Sequence, residues 1–418
     1  MRKLIAAVLI LGIVSPASAG NWDWLTQYKR PNLHWGQLAL HPYYKLTQIY
    51  DSNIYLVPPP NGGFSVGSGV RGSWITRNDL GLETVLPIGN LQKVSAGYLF
   101  QSDKYSTQPE LNDTINQVAH LDYEYRGAYG LTARVGDRYE NTTDQAFSQL
   151  VERARRWSNR AGASLDYRPE NGRLAGGIDV SQTTHKYLPP AFARLLNRYE
   201  QRFGFNLGYM VMPKTKAYAS YHRGVIHYTV GRQLPDQDKN SKSHNFGFGV
   251  EGQLTPKLEG RVETGMTHRE YDEAPIGANT RTTKNLTVAT YLTYKPQDRT
   301  TVAFRASRYL QESIFAGNRF YISNDVGLDV SHKLPYKFSV GGGVAFGLDK
   351  YPDVVTASSG ARGQRRDDIY QGGAWLEYDI QEWLTTGISY VYRERNSTLP
   401  ADFNYEDQRT AVNLALKF

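Results

Sequence analysis

The sequence of 418 residues contains no cysteine, and beyond its first 19 residues it has no run of about 18 apolar residues. Without cysteine there are no disulfide bonds, no thiolate metal ligands and no lipidated N-terminal cysteine. Without a long apolar run there is no transmembrane helix. The fold must therefore hold together without covalent cross-links or membrane-spanning helices.

Signals of catalysis and of metal binding are also lacking. The stretch GFSVG at residues 63–67 is a strand-like sequence rich in Gly and Ser. It does not have the pattern of the strand-to-helix elbow that carries a nucleophilic serine. The stretches HKYLPP and HREYDE lack metal-ligand spacing. GGGVAFG at 341–347 is followed by no helix start, so it is not a phosphate-binding loop. We expect no enzyme activity, no catalytic residue, no cofactor and no metal.

The first 19 residues have the composition of a secretory leader. Arg2 and Lys3 precede the short apolar run LIAAVLILGIV, and Ala17, Ser18 and Ala19 form a small-residue cleavage site. The formal net charge of the whole chain is +8, a mild excess for this length that does not indicate nucleic acid as a partner. The sequence predicts a signal peptide over 1–19 and an exported protein.

Tyrosine and glycine are abundant, with 30 and 39 copies, and they recur in an alternating pattern. From about residue 38 onward, stretches such as FNLGYMV, ASLDY and LTVATYLTY place apolar residues at every second position. The positions between them hold Gly, Ser, Asn or charged residues. Such alternation is typical of strands that have one apolar and one polar face.

The connections between these segments are of two lengths, which alternate along the chain. Short breaks such as PIGN, PENG and QEW alternate with longer polar connections such as 186–198 and 351–365. Outer-membrane barrels have this pattern, with short periplasmic turns and long extracellular loops. We predict an all-β, transmembrane, antiparallel up-and-down barrel of about 18 strands over residues 37–418. In it, 63–86 is one long strand and 20–36 is a periplasmic lead or plug segment.

The charges decide which face of the sheet points outward. The polar face carries too many charges to pack a dry core, so we expect the apolar face to contact lipid and the polar face to line a wet lumen. The C-terminal stretch AVNLALKF then has Val412, Leu414 and Phe418 toward lipid, and Asn413 and Lys417 toward the lumen.

Charged and aromatic side chains line the lumen in this arrangement. We expect arginines toward the long loops and acids toward the short turns, which would make the outer half of a conduit basic, and rings of charge select solutes by sign. Two structural roles for these charges also stay open: cross-strand ion pairs that stiffen the wall, and contacts of outer arginines with lipopolysaccharide phosphates. Trp375 is the candidate for stacking on a sugar. The predicted pore-lining residues are Arg138, Arg202, Arg305, Arg393, Arg395, Arg409, Glu251, Glu263, Asp329, Glu377, Asp379 and Trp375.

Two long loops have apolar residues at helical spacing. These are 143–156, with Thr143 as a candidate cap, and 190–199. Each helix would either fold inward as a constriction or lie on the rim.

Both ends of the barrel region resemble a known family. The opening LALHPYYKLTQIYDSNIYL (38–56) ends in a Tyr-Asp-x-Asn-Ile corner, and the ending ISYVYRERNSTLPADFNYEDQRTAVNLALKF (388–418) has a Tyr-x-x-x-Arg motif that leads into a Phe-ended strand. These two segments resemble the outer-membrane beta-barrel porin family that is associated with exopolysaccharide biosynthesis and export operons. The resemblance implies a barrel of about this strand number, no catalytic residues, and a role as the final conduit of an exopolysaccharide that a separate periplasmic export protein hands over.

Three functions therefore stay open. The chain would be an exopolysaccharide-export porin, a general or small-solute diffusion porin, or a structural or adhesive barrel with a closed lumen. In each case we expect it in the cell outer membrane after signal-peptide cleavage. The expected partners are outer-membrane lipid and lipopolysaccharide, the barrel assembly machinery, a polysaccharide or small solute, and, for export, a periplasmic polysaccharide export protein.

Overall fold

The alternating segments form strands, because apolar aromatic and β-branched residues at every second position suit a pleated sheet with one apolar face. The computed structural model describes residues 33–57, 71–144, 153–169, 172–229, 239–272, 281–313, 318–356 and 360–418. The strands are β1 (Leu33–Trp35), β2 (Leu38–Asp51), β3 (Ser73–Ile88), β4 (Gln92–Tyr105), β5 (Thr114–Arg126), β6 (Leu131–Thr142), β7 (Arg156–Tyr167), β8 (Leu174–Tyr187), β9 (Arg198–Met212), β10 (Thr215–Tyr228), β11 (Ser241–Thr255), β12 (Leu258–Tyr271), β13 (Thr282–Gln297), β14 (Thr300–Glu312), β15 (Phe320–Lys333), β16 (Phe338–Thr356), β17 (Arg362–Gln381), β18 (Leu384–Ser397) and β19 (Tyr405–Lys417).

Strands β2 to β19 close into an antiparallel barrel. Each pairs with its neighbours along the chain, and β19 pairs back onto β2, from Arg409 opposite Asp51 to Lys417 opposite Tyr43. The short β1 pairs with the start of β2. Closure means that every strand from β2 to β19 pairs with two neighbours within the described residues. The predicted fold class and strand number are confirmed.

The two ends of the barrel differ. Connections such as 213–214, 256–257 and 382–383 are tight turns, and we name their side the short-turn end. The opposite, long-loop end carries α1 (Pro109–Asn112), α2 (Pro190–Leu196) and α3 (Pro400–Phe403). No helix within the described residues is long and apolar enough to cross a membrane.

One of the two predicted loop helices and most of the predicted strand 63–86 lie within the described residues. The helix predicted over 190–199 forms as α2, and its Leu196 packs with Ala154 and Tyr187. Tyr187 ends the inner side of β8, so α2 covers the long-loop end of the wall there. Residues 145–152 of the other predicted helix lie outside the described residues, as do 1–32 and the stretch 63–67. From Ser73 onward the predicted strand 63–86 is a single strand, β3.

The apolar face of the sheet points outward. On β9, Phe203, Phe205 and Leu207 are 48%, 45% and 63% exposed. Contacts that bridge over an intervening strand mark the concave inner face. There Tyr218 Oη on β10 donates to Glu263 Oε2 on β12 at 2.6 Å. The barrel thus has an apolar exterior and a polar interior, as expected from the alternation of apolar and polar residues along the strands.

Aromatic side chains form girdles at both ends of the outer face. Tyr50 and Trp74 pack with ring centroids 5.2 Å apart toward the long-loop end. Trp383 stacks on Phe418 at 6.1 Å at the short-turn end. The Phe418 N–H donates to Pro42 O at 3.1 Å, which fastens the last residue to the first barrel strand. Aromatic rings at two levels are typical of barrels that sit in a bilayer, because such rings prefer the headgroup region.

Replacing Val412, which is 52% exposed on the outer face of β19, with arginine tests this orientation. A cation on the lipid face near the bilayer midplane costs about 2–4 kcal/mol. We expect Val412→Arg to lower the free energy of unfolding by that amount in urea titrations of the barrel in lipid vesicles. Asn413→Arg, on the inner face, should change it by less than about 1 kcal/mol. Equal losses in the two variants would contradict the assigned faces.

Candidate solute pathway

The register of the strands places all twelve predicted pore-lining residues on the inner face. Trp375 lies opposite Gly341, Arg393 opposite Asp407, and Glu251 opposite Arg261. Ten of these residues fall into three groups with different surroundings: a buried belt of ion pairs, a row of arginines, and a mixed set near the short turns. Arg395 and Trp375 have surroundings of their own. Whether a solute contacts them stays a prediction.

A belt of buried ion pairs lines the inner face toward the long-loop end from β17 round to β4. Its carboxylates are shielded from solvent, with Asp103, Asp367 and Asp407 at 0% exposure. The belt consists of Arg365–Asp367 (2.9 Å), Arg393–Asp407 (2.7 Å), Arg409–Asp51 (2.8 Å) and Arg77–Asp103 (2.7 Å). Each arginine in the belt has a carboxylate in contact, so this part of the wall presents little net charge to a solute.

The side chain of Arg395 lies in the same region, where it contacts a backbone carbonyl and an aromatic ring. It is 1% exposed, its Nε donates to Phe403 O at 2.7 Å, and its guanidinium lies 4.6 Å from the Tyr405 ring centroid. Three arginines predicted to line the pore, Arg393, Arg395 and Arg409, therefore stiffen the wall. These contacts are those of the structural role, and whether the three arginines also contact a solute stays a prediction.

The loop after β2 is tied to this belt by an Asx turn. The Asn53 N–H donates to Asp51 Oδ1 at 2.9 Å, and Asn53 Nδ2 donates to Glu406 O at 2.9 Å. The Tyr-Asp-x-Asn-Ile corner is therefore structural in this chain. It links the loop to the strand that closes the barrel.

The long-loop ends of β14 and β15 leave the wall and bend into the barrel. The ladder between β13 and β14 stops at Val288 and Arg308, whereas β14 continues to pair with β15 up to Glu312. Arg308 Nη2 donates to Asn285 Oδ1 at 3.3 Å, and Asn285 lies on the inner side of β13. The apolar side of this hairpin contacts lipid in its short-turn half. At the long-loop end the same side packs on the inner wall of the barrel.

Glu312 anchors the bent hairpin. Its carboxylate accepts a hydrogen bond from Tyr228 Oη on β10 at 3.1 Å and forms an ion pair with Arg269 on β12. Phe320 at the start of β15 stacks on Tyr271 of β12 with ring centroids 6.4 Å apart. These contacts span from β10 to β15 across the concave face, so the hairpin occupies part of the lumen cross-section.

A loop lysine adds a further contact to the bent hairpin. Lys239, which precedes β11, donates from Nζ to Ser313 O directly after β14. Burial of its ammonium lowers the pKa of Lys239 to about 8. This hydrogen bond joins the connection before β11 to the connection after β14 and so adds to the narrowing of the long-loop end.

A row of three arginines on β6, β7 and β9 contrasts with the belt. Arg138 lies directly opposite Arg160, and like charges in such cross-strand positions repel. Arg160 forms no hydrogen bond or ion pair with any described residue. Arg202 lies on the inner face of β9, and its Nε is 3.9 Å from Asp179 Oδ2 on β8. We call Arg138, Arg160 and Arg202 the arginine row.

The predicted residues nearer the short turns form local pairs. Glu251 lies 3.0 Å from Lys216 Nζ, and Asp329 lies 3.2 Å from Arg305 Nη1. The remaining acids also line this half: Glu263 is paired with Arg261, Asp379 accepts from Thr385 Oγ1 at 2.9 Å, and Glu377 is exposed. Negative and positive groups are interspersed here, which gives a polar wall without one dominant sign.

Trp375 lies flat across the neighbouring strand. A Cβ on Gly341 would come within 2.5 Å of Trp375 Cζ2, so the indole occupies the space above that glycine. Glycine at 341 fixes the ring against the wall while leaving Trp375 half-buried on the inner face.

Arg160 and Glu312 bear on the solute pathway and are absent from the set predicted from the sequence. Arg160 lies on the same alternation as Asp166, so extending that pattern along β7 would have found it. Glu312 would not have been found, since alternation along β14 puts it on the lipid side. Among the described residues no cluster of His, Asp and Glu could hold a metal ion.

Comparison with protein families gives one match over most of the barrel. Residues 121–418 match the model of the family described as "Putative beta-barrel porin 2". The chain belongs to this porin family. Porins of the outer membrane are channels and not enzymes. The porin therefore serves transport, and it sits in the outer membrane in contact with lipid. Comparison with curated proteins gave no match.

Solved outer-membrane barrels are similar at low identity. OccK9 (OpdG) of Pseudomonas aeruginosa is 8% identical with a TM-score of 0.48, covering 91% of this chain and 98% of that chain. OpdL of the same organism is 14% identical with a TM-score of 0.44, covering 91% and 99%. The siderophore receptor PirA of Acinetobacter baumannii is 8% identical with a TM-score of 0.43, covering 91% and 80%.

Removing the Glu312 anchor should widen the porin. In Glu312→Ala the bent hairpin loses its hydrogen bond to Tyr228 and its ion pair with Arg269, so its attachment to the inner wall is weakened. We expect a larger single-channel conductance in planar bilayers. Glu312→Gln keeps a side-chain acceptor for Tyr228 and should stay closer to the original conductance. An unchanged conductance in the alanine variant would contradict a narrowing by this hairpin.

Breaking one pair of the belt should destabilise the porin more than breaking an exposed pair. Arg393→Ala leaves the buried Asp407 with only Arg409 as a counter-charge, and we expect a loss of about 3 kcal/mol in the free energy of unfolding. Arg366→Ala removes the partner of Asp368 on the outer face and should cost about 1 kcal/mol or less. Urea titrations in vesicles measure both. A similar cost for the two variants would show that the belt is not structural.

Proposed function

We propose that the porin forms a narrowed, water-filled passage that favours small anionic, hydroxyl-rich solutes. The arginine row carries this proposal. In the belt each arginine contacts a carboxylate, and on β6 and β7 Arg138 and Arg160 lie opposite each other. An anion that binds between them would relieve their repulsion, and rings of charge select by sign.

The size of the solute is limited by the bent hairpin. Barrels of 16–18 strands leave an aqueous channel, and the ends of β14 and β15 occupy part of it at the long-loop end. Hydrogen-bonding side chains fill the remaining inner wall, so a hydrated solute exchanges water for polar groups. These features support passage of single small molecules or of one extended polymer strand.

A second candidate function is export of an acidic exopolysaccharide. The half-buried indole of Trp375 on the inner face favours it, because a flat aromatic ring fixed against Gly341 suits stacking on a sugar ring. The sequence resemblance at residues 38–56 and 388–418 points the same way. In this function a separate periplasmic protein would deliver the polymer.

Ion selectivity tests the first proposal. In a KCl gradient across a planar bilayer, we expect the reversal potential of the porin to report a preference for chloride. The triple variant Arg138→Gln, Arg160→Gln and Arg202→Gln should shift the reversal potential toward potassium, because it removes three charges from the lumen.

A control variant removes the same charge from the outer face. Lys104→Gln, Lys186→Gln and Arg366→Gln lie on the lipid side of β4, β8 and β17 and should leave the reversal potential near the original value. An equal shift in both variants would mean that the arginine row does not select anions. Absence of any conductance would favour a structural barrel with a closed lumen.

Oligosaccharides separate the two candidate functions. A trigalacturonate should reduce the single-channel current of the porin if acidic saccharide enters the passage, and Trp375→Ala should weaken this block. Accumulation of polymer in the periplasm of a deletion strain would support export, whereas normal secretion would leave small-solute diffusion as the function.

A further inference from the structure

A row of basic side chains crosses four neighbouring strands on the outer face of the barrel. Arg223 on β10 lies opposite His244 on β11, His244 opposite His268 on β12, and His268 opposite Lys284 on β13. With strands about 4.8 Å apart, the row spans roughly 14 Å along the membrane surface. We call these four residues the outer basic row.

The charges of this row are not neutralised by partners within the described part of the chain. Arg223 and Lys284 are exposed and form no ion pair with a described residue. His268 Nδ1 is shielded from solvent and lacks a hydrogen-bond partner among those residues. His244 Nδ1 is 2.7 Å from Tyr221 Oη, which holds its ring against the wall. The row therefore offers several donors to an anion.

One rung further up, toward the long loops, the balance stays basic. Lys242 on β11 lies opposite Glu270 on β12, and Glu270 lies opposite Thr282. No ion pair joins Lys242 to Glu270 in the described structure. The two rungs together contain three Lys or Arg residues and two His residues, and their one carboxylate is that of Glu270.

One rung further down, the wall is entirely apolar or aromatic. Tyr221, Phe246, Met266 and Leu286 lie opposite one another in the same strand order. Phe246, Met266 and Leu286 are 57%, 48% and 48% exposed. A ligand that satisfies both rungs has an anionic head and a hydrocarbon tail, which excludes a free phosphate ion or a sugar.

Other parts of the outer face do not repeat this arrangement. On β18 and β19 at the same end, Glu394 lies opposite Glu406. Arg366 on β17 is 3.1 Å from Asp368, and Lys104 on β4 is 2.8 Å from Asp113. The row of four adjacent basic side chains is thus a feature of β10–β13. It ends at Lys284, beside the place where β14 leaves the wall.

We propose that the outer basic row binds a phosphorylated glycolipid of the outer leaflet, with the phosphates on Arg223, His244, His268 and Lys284 and the acyl chains along Phe246, Met266 and Leu286. The long-loop end faces the outer leaflet in barrels of this kind. Basic side chains near a membrane surface attract anionic lipid headgroups, and phosphate accepts charge-assisted hydrogen bonds from Arg and Lys. The proposal is independent of what passes through the lumen.

Native mass spectrometry of the detergent-solubilised porin tests this site. The probes are diphosphoryl lipid A and the same lipid after removal of both phosphates. We expect the porin to retain the phosphorylated lipid in preference to the dephosphorylated one. Arg223→Gln combined with Lys284→Gln should bind it about 30-fold more weakly, as expected when two basic side chains at a membrane surface are lost.

A matched variant removes two charges from paired positions of the outer face. Lys104→Gln combined with Arg366→Gln should keep the original affinity, since both groups already have carboxylate partners. Slower gel mobility after heating confirms that each variant is a folded barrel before binding is measured. Equal loss in the two double variants would overturn the site, as would undiminished binding in the first or equal binding of both lipids by the unaltered porin.

Discussion

Closure of the sheet is the constraint on which the rest of the structure depends. In the hydrocarbon core no water is available to the backbone, so each N–H and C=O must find its partner within the sheet. The ladder between β19 and β2 closes the ring of strands, and the Phe418 N–H extends that ladder to Pro42 O. Once the barrel is closed, every strand has one side toward lipid and one toward the lumen. The alternation of apolar and polar residues follows from this.

The interior uses charge in two ways. In the belt from β17 to β4, arginines and aspartates neutralise one another at hydrogen-bonding distance and stiffen the wall around the closing ladder. On β6 and β7, Arg138 and Arg160 lie directly opposite each other, and Arg202 on β9 lies near Asp179. Because like charges opposite each other cost stability, a site that keeps them is a candidate for function, and the proposed anion preference depends on this contrast. The bent hairpin at β14 and β15 then limits what can reach the row.

Much of this could be predicted from the sequence, because a period of two is a local property. The apolar positions of β9 and β19, the alternation of turns and loops and the helix α2 all follow from residues within one segment. The pairing of Arg393 with Asp407 does not, since it depends on the register between two strands. The inward bend at Glu312 depends on where the ladder between β13 and β14 stops. The outer basic row likewise appears only when four registers are combined, as its members lie about 20 residues apart along the chain.

Single-cysteine scanning of β9 tests the central claim most directly, and the natural absence of cysteine makes it clean. A nitroxide attached at each position from 202 to 207 reports collisions with oxygen, which concentrates in lipid, and with a nickel chelate, which stays in water. The account predicts oxygen access at 203, 205 and 207, and nickel access at 202, 204 and 206. The opposite phase, or no alternation at all, would contradict a barrel with its apolar side toward lipid.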